Sequence, residues 1–260
     1  MRNTFATALC LGLIAFAAAG HAAVKSRTVD YEYGGTKMKG YLAWDDAVKG
    51  PRPAVIVVHD YWGLNDYARR RADQLAGLGY AAFAADMYGG GRVGAHPEDA
   101  RAMMTEVRAN VATWRGRANA ALAALRKQPE IDPAKAAAIG YCFGGATVLQ
   151  MLYGGADLKA VVSFHGALPV ADSTQAISKN TKILILHGAD DPHVPPESVK
   201  KFKVPLDAAK IPYTFIAYPG AVHSFTVKAA GDDPKNGSTY NAEADRKSWE
   251  EMVRLFGDVF

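Results

Sequence analysis

AAAIGYCFGGATVLQ, residues 136–150, decides the fold. A run of small and aliphatic residues, suited to a strand buried on both faces, meets Gly140-Tyr141-Cys142-Phe143-Gly144-Gly145 and then an apolar stretch that reads as a helix. A residue on so sharp a strand-to-helix turn holds strained torsions while its neighbours nearly touch both elements. Glycines two positions to either side remove the Cβ atoms that would collide. The turn presents the Cys142 side chain at the sheet edge and aims a helix N-terminus at it, where the positive end of the dipole stabilises negative charge. The backbone N–H of Phe143 is then a natural donor to the anion of a tetrahedral intermediate. A buried, inert cysteine between glycines is the competing reading.

Outward from this turn the chain alternates. TVDYEYGGTKMKGYLAW (28–44) reads as a β-hairpin pivoting on Gly34-Gly35. PAVIVVH (53–59), YAAFAAD (80–86), KAAAIGY (135–141), KAVVSFHG (159–166), TKILILHG (181–188) and YTFIAYPG (213–220) read as strands. Between them lie helical patterns: one over 64–79 with Asn65 or Asp66 as N-cap, one long alanine-rich pattern from Pro97 to about Lys127, one over 144–153, and one over 195–210 with an internal Pro205. A last helix is expected from Asn241 to Phe256, after a Gly/Asp/Pro/Asn-rich loop at 229–239. This order predicts an α/β fold, a mostly parallel central sheet with helices on both faces. Ligands in such folds bind beyond the carboxyl ends of the strands. His59-Asp60, Asp86, Cys142, Asp191 and His223 all follow strands.

A thiol nucleophile needs a base, and the base needs an acid to fix its tautomer. His223, in YPGAVHSF after the last predicted strand, is the candidate base. LHGADDPHVP supplies Asp190 and Asp191; Asp191 is preferred because Asp-Pro-x-Val-Pro fixes the loop just past it. Nucleophile, acid, histidine is the chain order of α/β-hydrolases. The other histidines read as loop hydrogen-bonders or neighbours of these groups.

The 260 residues are 49% hydrophobic, enough to bury a core as one domain over 23–260. A formal charge of +4 without runs of like charge argues against nucleic acid. Residues 1–22 read as a secretory signal peptide: Arg2, an apolar run from Phe5 to Ala19, then Gly20 and Ala22 as small residues before the cut. Export to the periplasm or beyond follows, with no membrane span after cleavage. Cys10 leaves with the leader, so Cys142 has no internal disulfide partner.

VVHDYWGLND, GYAAFAADMYGG, GYCFGG, GADDPHVP and GAVHSF, in that order, resemble the dienelactone hydrolase family within the α/β-hydrolase fold. The resemblance implies hydrolysis of esters and lactones of small molecules, without cofactor or metal, through a Cys-His-Asp triad of Cys142, His223 and Asp191. It further implies that Asp60 stands where the family has a glutamate that helps form the thiolate, and that the N–H of Tyr61 completes an oxyanion hole with Phe143. Trp62, with Tyr61, reads as lining a substrate pocket, and the resemblance implies Arg92 as a substrate contact. Arg92 matches one carboxylate-binding arginine of the family, whereas Val227 stands at the position of the other. The nearest cation, Lys228, points elsewhere if that segment is extended.

Other readings stay open. GGGRVG (89–94) fits no dinucleotide fingerprint. A metal site from His59, Asp60, Asp86 and the His-Gly histidines lacks supporting spacing. A binding or thiol-redox protein on the same fold, or an amidase or peptidase, would use the same residues.

Overall fold

The computed structural model describes residues 24–260; the expected leader lies outside the described residues. The hairpin forms as expected, β1 (Val24–Tyr33) pairing antiparallel with β2 (Thr36–Asp45) around Gly34-Gly35. The other strands are β3 (Arg52–Val58), β4 (Ala81–Ala85), β5 (Ile131–Tyr141), β6 (Ala160–Phe164), β7 (Lys182–Gly188) and β8 (Thr214–Tyr218). They make one sheet in the order β1-β2-β4-β3-β5-β6-β7-β8. From β4 to β8 every pairing is parallel, and β3 to β7 are built largely of buried Ala, Val, Ile and Leu. Such strands need cover on both faces.

Helices supply that cover. α1 (Asp66–Gly77) and α6 (Ala242–Val259) close one core, with Leu75, Met252 and Phe256 fully buried against Val55, Ile139 and Leu186. α3 (Val111–Arg126), α4 (Phe143–Tyr153) and α5 (Pro196–Ala208) close the other, around Trp114, Leu149 and Phe202. Asn65 caps α1 and Asn241 caps α6, each accepting backbone N–H bonds of the first turn.

Two expectations are corrected. The pattern from Pro97 to Lys127 is two helices, α2 (Pro97–Arg108) and α3. The break falls at Asn110, whose extended backbone and side-chain bond to Thr113 N (3.0 Å) start a new helix. Alanine-rich periodicity hides it because neither glycine nor proline marks the joint. β5 also begins four residues early, at Ile131, with a register shift against β3 between Arg52 and Ala54.

The strand order sets the site. β4 lies on one side of β3 and β5 on the other, so the chain's winding reverses between β3 and β5. Connections diverge at such a point and leave a crevice at the carboxyl ends. There the two strands carry Asp60 and Cys142.

Candidate active site

Cys142 sits between β5 and α4 at φ 53°, ψ −110°, in the left-handed half of the map. Its N–H bonds to Phe164 O at 3.0 Å, which ties the turn to the neighbouring strand. The flanking glycines are required sterically. A Cβ on Gly140 would lie 2.0 Å from Gly144 O, and one on Gly144 would lie 2.1 Å from Val58 O. Of the four non-glycine residues with positive φ among the described residues, Cys142, His165 (φ 39°) and Ser224 (φ 58°) lie at this site, and Lys210 lies apart, just past α5. Backbone strain therefore gathers around Cys142, as it does at functional sites.

His223 and Asp191 come together on two adjoining loops. Asp190 N bonds to Ala221 O and its carboxylate accepts Gly220 N, so the exposed Asp190 ties the loops together. Asp191 is buried; one carboxylate oxygen accepts His193 N at 2.8 Å and the other faces His223 Nδ1 at 2.8 Å. The carboxylate holds the hydrogen on Nδ1 and leaves Nε2 as the ring's free nitrogen. Burial alone would lower the His223 pKa, but the Cys142 sulfur and the Asp191 carboxylate outweigh it and raise the pKa to about 10. A 3₁₀ turn and bonds from His223 N to Gly237 O and Thr239 N to His223 O fasten this loop.

Asp60 is buried, and one of its oxygens accepts Trp62 N at 2.9 Å. Burial raises its pKa to about 6, against the opposing effects of that bond and of the nearby His223 charge. His59 shapes the same loop. Its Nε2 accepts Met87 N at 3.2 Å, so Nδ1 carries the hydrogen and donates to Asp60 O. Desolvation depresses its pKa to about 4, which keeps the ring neutral. Tyr88 OH donates to Tyr61 O at 2.8 Å and holds the next peptide. Among the described residues, the N–H groups of Tyr61 and Phe143 have no acceptor.

Asp86 serves the scaffold instead. Its carboxylate accepts the backbone N–H groups of Lys39, Tyr88, Gly89 and Gly91. Among the described residues no group of three or more His, Cys, Asp or Glu side chains is placed to hold a metal ion.

A cleft of about 630 Å³ borders the site. Tyr61 and Trp62 line it, with rings 4.7 Å apart, beside Asn65, Arg70, Val227 and Lys228. Arg92 does not line it. Its guanidinium turns to Tyr88 O and to Glu106, 3.4 Å away, on α2. Lys228 is in the cleft because the segment after His223 is not extended. Ser224 is left-handed, Val227 N bonds back to Ser224 O at 2.8 Å, and Lys228–Ala230 form a 3₁₀ turn.

Four side chains in a hydrogen-bonded chain that ends against His223 escaped the sequence reading as site residues: His165, Thr226, Tyr67 and Arg71. The signal for Arg71 was present, since it falls on the same helical stripe as Tyr67, Ala68, Ala72 and Leu75, all buried. A cation on an apolar stripe calls for a partner.

The model of the dienelactone hydrolase family matches residues 38–260. A "Putative carboxymethylenebutenolidase" of Synechocystis sp. is 28% identical over 249 residues, covering 90% of this chain and 96% of the relative. Two solved structures are similar throughout, each covering 92% of this chain and 99% of their own. One, named m3DLH, is 40% identical with a TM-score of 0.87. The other, a dienelactone hydrolase-like promiscuous phosphotriesterase from metagenomic libraries, is 41% identical with a TM-score of 0.86.

Proposed function

The chain belongs to the dienelactone hydrolase family and is a hydrolase of the α/β-hydrolase fold, and from that premise we propose that it cleaves carboxylic ester or lactone bonds of small molecules through Cys142, His223 and Asp191. The observation that carries the reading is the buried pair of His223 Nδ1 and Asp191 Oδ2, 2.8 Å apart, at the same sheet end as the left-handed Cys142 turn.

The reaction follows from that arrangement. His223 Nε2 takes the thiol proton, and the sulfur adds to the acyl carbon as the carbonyl electron pair moves onto oxygen. The N–H groups of Phe143 and Tyr61 receive that oxyanion. On collapse the acyl C–O bond breaks, and the departing alkoxide takes the proton from His223 Nε2. A lactone ring opens at this step, its alkoxide end remaining on the acyl group. Water then gives a proton to His223 and its oxygen adds to the thioester carbon; the C–S bond breaks, the departing sulfur takes that proton back from His223, and the carboxylic acid is released. Asp191 stays ionised and keeps the imidazole in its working tautomer. Asp60 closes the loop over the site through Trp62 N, with its charge close enough to His223 to be felt. Trp62 supplies a face of the cleft.

Release of p-nitrophenol from a short-chain ester, measured for the wild type, Cys142→Ala and Cys142→Ser and followed by dienelactone, tests the proposal. Turnover lost in the alanine variant supports it. No turnover from folded, reduced wild-type protein overturns it in favour of a binding or thiol-redox protein.

A second reading concerns the acceptor atom. Val227 leaves an apolar wall where the family places a carboxylate-binding arginine, which suits a neutral substrate. With the phosphotriesterase among the similar structures, an aryl phosphotriester belongs in the same assay. Export remains part of the proposal on sequence grounds alone, and the N-terminal mass of the protein recovered from its native host tests it.

A further inference from the structure

Beneath His223 lies a buried polar chain that the mechanism above does not use. It begins at Arg71 on α1, which is 7% exposed and ion-paired with Asp245 on α6. Arg71 Nε donates to Tyr67 OH at 3.2 Å, and Nη2 donates to Thr226 O at 3.2 Å. Tyr67 OH lies 2.6 Å from Thr226 Oγ1, which lies 2.7 Å from His165 Nε2. The His165 ring meets the His223 ring edge to face, with centroids 5.4 Å apart.

The direction of this chain follows from its first member. A guanidinium can only donate, so Tyr67 oxygen is occupied as an acceptor and its hydrogen turns to Thr226 Oγ1. Thr226 then has its own hydrogen left for His165 Nε2. Among the described residues, His165 Nδ1 has no hydrogen-bond partner in either direction. Run the other way, with His165 donating from Nε2, the chain would strand both the Tyr67 hydrogen and the Nδ1 lone pair in a buried site, whereas this direction leaves only the Nδ1 hydrogen unpaired. His165 therefore carries its hydrogen on Nδ1 and accepts at Nε2. A donor aimed into Nε2 opposes protonation there. Burial, the His223 charge and the Arg71 charge push the His165 pKa well below its ordinary value in the same sense.

We propose that Arg71, Tyr67 and Thr226 hold His165 neutral and fixed in one tautomer, and that His165 is thereby a positioning residue for His223, supporting its ring edge without a competing charge. The inference rests on the proposed role of His223 as the base. A second imidazolium at this distance would oppose the protonation of His223 on which each half of the cycle depends. The charged and titratable groups that face His223 are Cys142 from the β5–α4 turn, His187 from the end of β7, Asp191 and His193 from the loop after it, Asp60 from the loop after β3, and His165 after β6. Those facing His165 are His223, Arg71 and Tyr141. Of the histidines bordering His223, only His165 is fully buried with a hydroxyl against its ring nitrogen.

Thr226→Val is the test, because it keeps the side-chain shape and the carbonyl that Arg71 uses while removing Oγ1. Two quantities are read on the full chain: kcat and KM for a p-nitrophenyl ester, and the His223 titration midpoint by imidazole NMR, which needs no turnover. The expected result is a fall in kcat of about tenfold with KM changed less than about twofold, and a His223 midpoint lowered by about half a pH unit. Thr226→Ser should restore both. A folded Thr226→Val with kcat and midpoint unchanged, or a loss of kcat with an unmoved midpoint, overturns the proposal and leaves the hydrolase reading standing. Failure of that reading shows separately, as absence of turnover in the wild type. Should Thr226→Val not fold, Tyr67→Phe breaks the same chain one link earlier and should lower the midpoint in the same direction; an unmoved midpoint there also overturns it.

Discussion

Asp191 Oδ2 and His223 Nδ1 lie 2.8 Å apart, both buried, on loops that follow β7 and β8. The carboxylate decides which ring nitrogen is free, and so whether Nε2 can accept a proton, as the proposed mechanism requires. Asp191→Asn presents an amide that can stabilise the wrong tautomer while leaving the shape unchanged. Its kcat for a p-nitrophenyl ester should fall by about 10³–10⁴-fold, with thermal stability close to wild type. A loss under tenfold in stopped-flow or steady-state assays would show that another group orients His223.

The Cys142 turn is set by contact distances. A Cβ at Gly144 meets the Val58 carbonyl at 2.1 Å, a backbone atom of the central strand that cannot swing aside. Gly144→Ala should therefore destabilise the fold by more than about 3 kcal/mol, seen as a lowered urea midpoint or loss of soluble protein. Gly77→Ala, at a position with open space around the added methyl, is the matched control and should be neutral or slightly stabilising.

These glycines also show why so much was legible. Gly140 and Gly144 bracket Cys142 for a steric reason, so the elbow could be read from spacing alone, and the β-branched runs fixed the sheet because only a doubly covered strand tolerates them. Asp191 and His223 followed as polar residues just past such strands. What stayed hidden depends on where side chains turn after the backbone leaves the sheet. Arg92 pairs with Glu106 across a helix, and Lys228 reaches the cleft only because Ser224 is left-handed. The break at Asn110 was missed because a capping asparagine interrupts no periodicity.

Asp60 makes stability depend on pH. Its folded pKa is raised to about 6 from an ordinary 3.8, chiefly by burial. Between those values the folded state binds the proton more tightly than the unfolded chain, so this group's contribution falls as pH rises through the window. Above about pH 6 a buried charge is carried at a cost. Asp60→Asn removes that cost, and its Oδ1 can still accept Trp62 N. The variant's melting temperature relative to wild type should rise between pH 4 and pH 7, with little difference at pH 4. Paired melts at the two pH values check this, and an equal offset at both would mean that the carboxyl does not titrate in the window.

The two cations in the cleft and the one outside it predict opposite results. Arg70 and Lys228 line the cleft and take part in none of the ion pairs among the described residues, whereas Arg92 lies outside it against Glu106. A cation facing the bound substrate adds attraction for an anionic group, although at exposed positions the gain is under about 1 kcal/mol per charge. Arg70→Ala and Lys228→Ala should each raise KM for a carboxylate-bearing p-nitrophenyl ester by about two- to fivefold, and leave a neutral ester of the same length unchanged. The difference should shrink at 0.5 M salt, because screening removes surface attraction first. Arg92→Ala should leave both esters within about twofold of wild type. If Arg92→Ala alone raises KM for the charged ester, the Glu106 pair opens when substrate binds and the guanidinium swings into the cleft.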